Sequence, residues 1–269
     1  MCALMPNNTV RRFWRGPLLL ALGLIWLGFS AEHSVSGDEN PLRAVPAAIA
    51  PAEAVTSVLE LFTSQGCSSC PPADRLLTAL AHDPSRIALT FPIDYWDFIG
   101  WKDTFAEPAF TARQKAYAAA RDDSHVYTPQ AIIDGLVDAV GSDRAAIEQA
   151  VATLKGHNRA LAVPMQMREA DGVLHIDIGA GEGGPAGVYV LRVIRSRTVA
   201  IGHGENSGRT VTYTNVVRAM RKIGEWDGTT QKFSLPELRS DDEGYVVLLQ
   251  QGSLERPGAI LAAAKSAGL

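Results

Sequence analysis

Cysteine is nearly absent: the chain of 269 residues holds three, Cys2, Cys67 and Cys70. That excludes a fold stapled by several disulfides and leaves an ordinary hydrophobic core to hold the chain together. Clusters of lysine and arginine are also missing, the 25 basic residues being dispersed among 29 acidic ones. Nucleic-acid binding needs basic groups gathered on one face, so it is not expected. No apolar run is long enough to span a bilayer, since the stretch from Pro17 to Phe29 falls well short of the required length. Repeats and low-complexity tracts are lacking beyond the first fifty residues, and the remainder has room for two domains of ordinary size.

What is present begins with Arg11, Arg12 and Arg15, then the apolar run, then the small residues around Ser30-Ala31-Glu32. Positive, apolar, small is the layout of a cleaved secretory signal over residues 1–30, which implies a periplasmic or secreted protein without stable membrane insertion. Arg11-Arg12-Phe13 hints at twin-arginine export. Residues 31–56 are rich in Ala, Pro and Ser without a period and read as a flexible linker. Residues 1–30 carry three arginines and no acid, so the rest of the chain has a net charge of −7. Cys2 leaves with the signal, and within the chain Cys67 and Cys70 can then pair only with each other. In an oxidising compartment such an isolated close pair points to redox or metal chemistry, because the loop it closes is too small to stabilise a fold much.

The rest of the chain is organised around Val58-Leu-Glu-Leu-Phe-Thr-Ser-Gln-Gly-Cys67-Ser-Ser-Cys70-Pro-Pro. An apolar run of this kind is what a buried central strand gives. Pro71 and Pro72 fit only the first turn of a helix, so a helix should start near Ser68 or Ser69 and end at His82-Asp-Pro84. Ile87 to Phe91 is the next strand, completing a βαβ unit. An irregular aromatic stretch, Asp94 to Asp103, carries Trp96 and Trp101, and a helix is expected from Phe105 to Ala120. The rings either pack the stretch onto the domain or flank the cysteines and accept an apolar substrate segment. Pro129 precedes a strand, Ala131 to Ile133; Asp134-Gly135 is a hairpin turn, Leu136 to Val140 its return strand, and Ser142-Asp143 caps a helix to Leu154. This defines a first domain at 57–156. Beyond it, apolar runs between Gly, Asp and Pro turns, such as Val173 to Ile178 and Tyr245 to Gln250, predict a mostly antiparallel, β-sandwich-like domain at 160–269. Asn215 to Ile223 fits a short helix or a strand equally well. Gly204 to Gly208 lacks the frame of a phosphate loop and reads as a hairpin tip.

Cys67 should stand exposed before the helix, where unpaired N–H groups and the helix dipole favour a thiolate, with Cys70 one turn inside and partly covered. Cys67 would then attack a disulfide and Cys70 would resolve the mixed disulfide. Zinc and copper sites use the same spacing, so the pair alone leaves both readings open, and His125 could join Cys67 and Cys70 as a metal ligand.

The order of elements, with Cys-x-x-Cys at a strand-to-helix turn, resembles the thioredoxin fold, a central mixed sheet flanked by helices. The resemblance places Thr128-Pro129 where that superfamily has a cis-proline beside its active disulfide, and implies that the Thr128 backbone receives an extended substrate strand. It also asks for a buried carboxylate on the strand before the turn, for which Glu60 is the candidate; the alternative is a paired structural carboxylate, because Leu61 occupies the directly aligned place. Glu60-Leu-Phe-Thr-Ser-Gln-Gly-Cys-Ser-Ser-Cys-Pro-Pro-Ala-Asp74, Asp94-Tyr-Trp-Asp97, Gly100-Trp-Lys-Asp103, Phe110-Thr-Ala-Arg-Gln114, Tyr127-Thr-Pro-Gln130 and Gly204-Glu-Asn-Ser-Gly-Arg-Thr210 are similar to domain of unknown function family 1223, a group of exported, thioredoxin-like bacterial proteins. The family has no established activity. The spacer Ser68-Ser69 contains no imidazole, which leaves the helix dipole and hydroxyls to stabilise a thiolate.

Three functions compete at this point: a thiol-disulfide oxidoreductase acting on protein thiols or disulfides, a copper- or metal-binding module, and a binding protein with a vestigial disulfide. The first needs no cofactor, and nothing in the sequence selects an oligomeric state.

Overall fold

A computed structural model describes residues 54–269 except 124, 156–159 and 238. The expected leader, 1–30, and most of the expected linker, 31–56, lie outside the described residues.

The first apolar run forms β1 (Ser57–Thr63), buried along its whole length. Its side chains alternate between two cores, as a strand covered on both faces requires. Leu59 and Leu61 pack with Ala73, Leu77 and Leu80 of helix α1 (Pro71–Ala81) and with Ile147 and Leu154 of helix α3 (Arg144–Leu154). Val58 and Phe62 face the other way, onto Phe110 and Tyr117 of helix α2 (Pro108–Ala120). Pro71 and Pro108 open their helices at positions where the missing N–H costs nothing. The α3 start is capped by Asp143, whose carboxylate accepts the Ala146 N–H at 3.0 Å.

β1 pairs in parallel with β2 (Arg86–Pro92) on one side and antiparallel with β3 (Gln130–Ile133) on the other. β3 turns back through Asp134-Gly135 into β4 (Val137–Val140), with positive φ at both turn residues, 50° and 75°. A Cβ at Gly135 would stand 2.4 Å from the Gly258 carbonyl, so both conformation and space demand glycine there.

The remaining chain forms β5 (Met165–Ala170), β6 (Val173–Ile178), β7 (Ala186–Ala200), β8 (Thr210–Trp226), β9 (Gln231–Pro236), β10 (Glu243–Gly252) and β11 (Pro257–Lys265). The expected division between 57–156 and 160–269 does not interrupt the sheet. One eight-stranded mixed sheet runs β11-β10-β7-β8-β2-β1-β3-β4, joined where β8 meets β2 in parallel at Thr90 and Val216. Side chains stitch this seam: Asn215 Nδ2 donates to the Ala88 carbonyl at 2.9 Å, and Thr90 Oγ1 donates to the Thr214 carbonyl at 2.7 Å. The ambiguous stretch from Asn215 to Ile223 is therefore strand, entered through Asn215 at φ 51°. The three-stranded antiparallel sheet β5-β6-β9 supplies the sandwich-like layer. Its Leu174, Ile176 and Ile178 pack onto Val188, Val190, Trp226, Val247 and Leu249, with Trp226 fully buried. The molecule is thus mixed α/β, with helices on the large sheet and a small second sheet over its C-terminal strands.

Candidate functional site

Between β1 and α1 the chain makes a tight turn closed by its own backbone. Cys67 N–H donates to the Ser64 carbonyl at 3.2 Å, and the Cys70 carbonyl accepts the N–H groups of Ala73 and Asp74 at 2.9 and 3.1 Å as the helix begins. Cys67 and Cys70 form a disulfide, with Cα atoms 5.4 Å apart.

Cys67 is not exposed: both cysteines have 0% of their surface accessible. Three segments distant in sequence cover them. In the aromatic stretch, Ile99 and Trp96 lie so close to the turn that a Cβ at Gly66 would be 3.0 and 3.1 Å from their side chains, while Trp101 Nε1 donates to Gln65 Oε1 at 2.8 Å. From the loop before β3, Thr128 joins Pro129 through a cis peptide bond, and its hydroxyl donates to Cys67 Sγ at 3.3 Å while accepting the Trp96 Nε1–H at 2.8 Å. Gly141 lies beneath, where a Cβ would meet Leu61 Cδ1 at 2.5 Å and Pro129 Cβ at 3.1 Å. Ser69 Oγ is 3.4 Å from Cys67 Sγ and 3.4 Å from the Thr128 carbonyl. The third cover is the tip of the β7–β8 hairpin, where Asn206 Nδ2 donates to the carbonyls of Gln65 and Cys67 at 2.9 and 2.8 Å.

Glu60 is held in a buried ion pair with Arg113. It shares the α2 face of β1 with Val58 and Phe62, and its carboxylate accepts Arg113 Nε and Nη2 at 2.6 and 2.8 Å and the Tyr117 hydroxyl at 2.6 Å. Gln250 completes this buried network by accepting from Arg113 at 3.0 Å. His125 is not gathered toward the cysteines: its side chain is 85% exposed and pairs with Asp123 at 2.6 Å. Among the described residues, no three His, Cys, Asp or Glu side chains converge as a metal site.

The acid that does accompany the cysteines is Asp74, one helical turn beyond Cys70. Its Oδ1 accepts the Thr63 hydroxyl at 2.8 Å, and its Oδ2 meets no donor among the described residues. Burial pushes its pKa up to about 7, against the Thr63 hydroxyl and with help from the charge of Asp103. Asp103 is also raised by burial, although it accepts the Gln65 N–H at 2.7 Å. The i, i+4 spacing from Cys70 was the available signal for Asp74. Nothing local connects Asn206 to Gln65 and Cys67.

No curated protein matches the chain. Among solved structures, a crystal structure of a protein from Agrobacterium tumefaciens is 35% identical, over 81% of this chain and 96% of that one, with a TM-score of 0.73. An endonuclease/exonuclease/phosphatase from Beutenbergia cavernae aligns over 39% of this chain and 23% of its own at 19% identity, with a TM-score of 0.17. The model of the family described as "Protein of unknown function (DUF1223)" matches residues 58–250, so the chain belongs to that family.

Proposed function

We propose that the protein is an exported, thioredoxin-like thiol-disulfide oxidoreductase whose working pair is Cys67 and Cys70. The observation that carries this reading is the disulfide at the entry to α1 with the Thr128 hydroxyl on Cys67 Sγ, directly before cis-Pro129. In the reduced protein, the Cys67 thiolate attacks one sulfur of a client disulfide. A bond forms between Cys67 and the client, and the client's other sulfur leaves as a thiolate and takes a proton. Cys70 then loses its proton and attacks Cys67 Sγ, which restores the Cys67–Cys70 disulfide and releases the second client thiol. The client gains two electrons and the protein loses two; run backwards, the same steps oxidise a client dithiol.

Asp74 suits the proton transfer at Cys70. It lies one turn away, and a carboxyl that titrates near neutrality both takes and returns a proton at working pH. Thr128 orients Cys67 Sγ, and its backbone offers the edge for an extended client.

The test is a Cys70→Ser variant, which should accumulate mixed disulfides with clients on non-reducing gels. Absence of adducts, with a disulfide that no physiological dithiol reduces, removes the proposal. The burial of both cysteines favours a second reading, a structural bridge that locks the turn. A reduction potential below about −300 mV, in the range of structural disulfides, would select it.

A further inference from the structure

The tip of the β7–β8 hairpin has no part in the exchange steps above, yet it lies on the turn that carries them out. Asn206 is 1% exposed and spends its amide on two carbonyls of that turn, those of Gln65 and of Cys67 itself. Its neighbour Glu205 is exposed and accepts the Ser68 N–H through Oε2 at 3.3 Å. Close approach is built in on the inner side: a Cβ at Gly204 would be 3.2 Å from Ile99 Cδ1, and one at Gly202 would be 3.2 Å from the Trp101 ring. Gly204 also has φ of 75°.

We propose that Glu205 and Asn206 form a clasp that regulates the Cys67–Cys70 disulfide, shutting it from thiols while closed and opposing the Cys67 thiolate when the pair is reduced. The proposal rests on the redox reading of the two cysteines and extends it to their control.

A thiolate breaks a disulfide by approaching a sulfur in line with the bond, and with both cysteines at 0% exposure neither sulfur offers such a path. Some cover has to move. The β1 end and α1 are set in the core, and the aromatic stretch is tied down by Trp96, Trp101 and the carboxylates of Asp97 and Asp103. The hairpin tip presents Glu205, Ser207, Gly208 and Arg209 to solvent and holds the turn through the Asn206 amide and the Glu205 carboxylate, so its release frees the backbone of the turn that carries Cys67.

The Ser68 N–H belongs to the turn just before α1 and directly follows Cys67, where a free donor would help stabilise a Cys67 thiolate. Glu205 occupies that donor and brings a negative charge of its own. Charged groups on the elements packed against the turn are Asp74 and Arg75 on α1, Asp97, Lys102 and Asp103 in the aromatic stretch, and His203 and Arg209 beside Glu205 on the tip itself. Neutralising Glu205 should therefore make the reduced Cys67 more reactive at a given pH.

The test uses the full protein, oxidised, with dithiothreitol as the probe and acid quenching followed by thiol alkylation as the readout. Dithiothreitol reduces the pair by two electrons and closes to its own cyclic disulfide. Loss of two donated hydrogen bonds in Asn206→Ala should raise the second-order rate constant about tenfold. In the reduced protein, Glu205→Gln should speed Cys67 alkylation at pH 7 about threefold and move its pH profile to lower pH. Unchanged reduction in Asn206→Ala overturns the clasp. If that variant does not fold, Glu205→Gln decides alone, and an unchanged profile overturns it. Client adducts trapped by Cys70→Ser alongside an unchanged Asn206→Ala rate would retain the redox reading and reject the clasp. Faster reduction without adducts would retain the clasp and reject the redox reading.

Discussion

Asp74 holds a proton that an exposed aspartate would have lost. Its pKa in the folded protein is about 7 against an ordinary 3.8, and burial is the main cause. The folded state therefore binds more protons than the unfolded chain between about pH 4 and pH 7, so this residue's contribution makes stability fall as pH rises through that window. Asp74→Asn keeps the shape and removes the titration. The variant should be more stable than the parent by roughly 2–4 kcal/mol at pH 8 and nearly equal to it at pH 4, as read from urea unfolding at both values. The same substitution should slow release of client from the mixed disulfide while leaving its formation intact. A variant that keeps the parent's pH dependence would show that Asp74 is ionised in the fold.

At the scale of elements, the seam between β2 and β8 joins the two parts of the large sheet through one register pair, Thr90 and Val216. Asn215→Ala removes the hydrogen bond to the Ala88 carbonyl and places alanine at φ 51°. The cost should be about 2–3 kcal/mol, and amide exchange near Val216 should accelerate more than exchange in β1. This seam also marks the limit of what local patterns carry. The β1–α1–β2 unit was legible because an apolar run, two prolines and a three-to-four repeat each record a period or a backbone constraint. The Asp134-Gly135 turn, the Asp143 cap and the alternation of β6 were legible for the same reason. Nothing near Asn215 records that it will reach Ala88, and nothing near Asn206 records that it will close on Cys67. Lateral pairing between distant strands is decided by the whole packed sheet, and it leaves no local period to read. The burial of Cys67 escaped the sequence for that reason, while Glu60 was narrowed to two roles because its alternation on β1 could be counted.

For the molecule as a whole, the large sheet runs through both expected domains, so a fragment of residues 54–156 should not be self-sufficient. The core containing Val58, Phe62 and Tyr117 also contains Tyr189, Leu191, Val193, Val217, Val246, Leu248 and Ile260. Asp134 ties the two parts together as well, accepting the Val58 N–H through its side chain at 2.7 Å and the Ile260 N–H through its carbonyl at 3.0 Å. A fragment ending at residue 156 would lose those seven apolar partners, each worth about 1.5–3 kcal/mol when buried, and would expose the edge of β2. It should show no cooperative thermal transition by circular dichroism. A sharp transition in the isolated fragment would mean that the N-terminal strands and helices are an independent domain.

The hydrogen-bonded chain from Trp96 through Thr128 to Cys67 has an optical consequence. Disulfides quench nearby indoles, and Trp96 reaches Cys67 Sγ through one hydroxyl while Trp101 is bonded to Gln65 of the same turn, so reduction of the pair should brighten the emission. Trp226, sealed in a different core, supplies a signal that does not respond. Tryptophan emission should then report the oxidation state of the pair in a cuvette without a label.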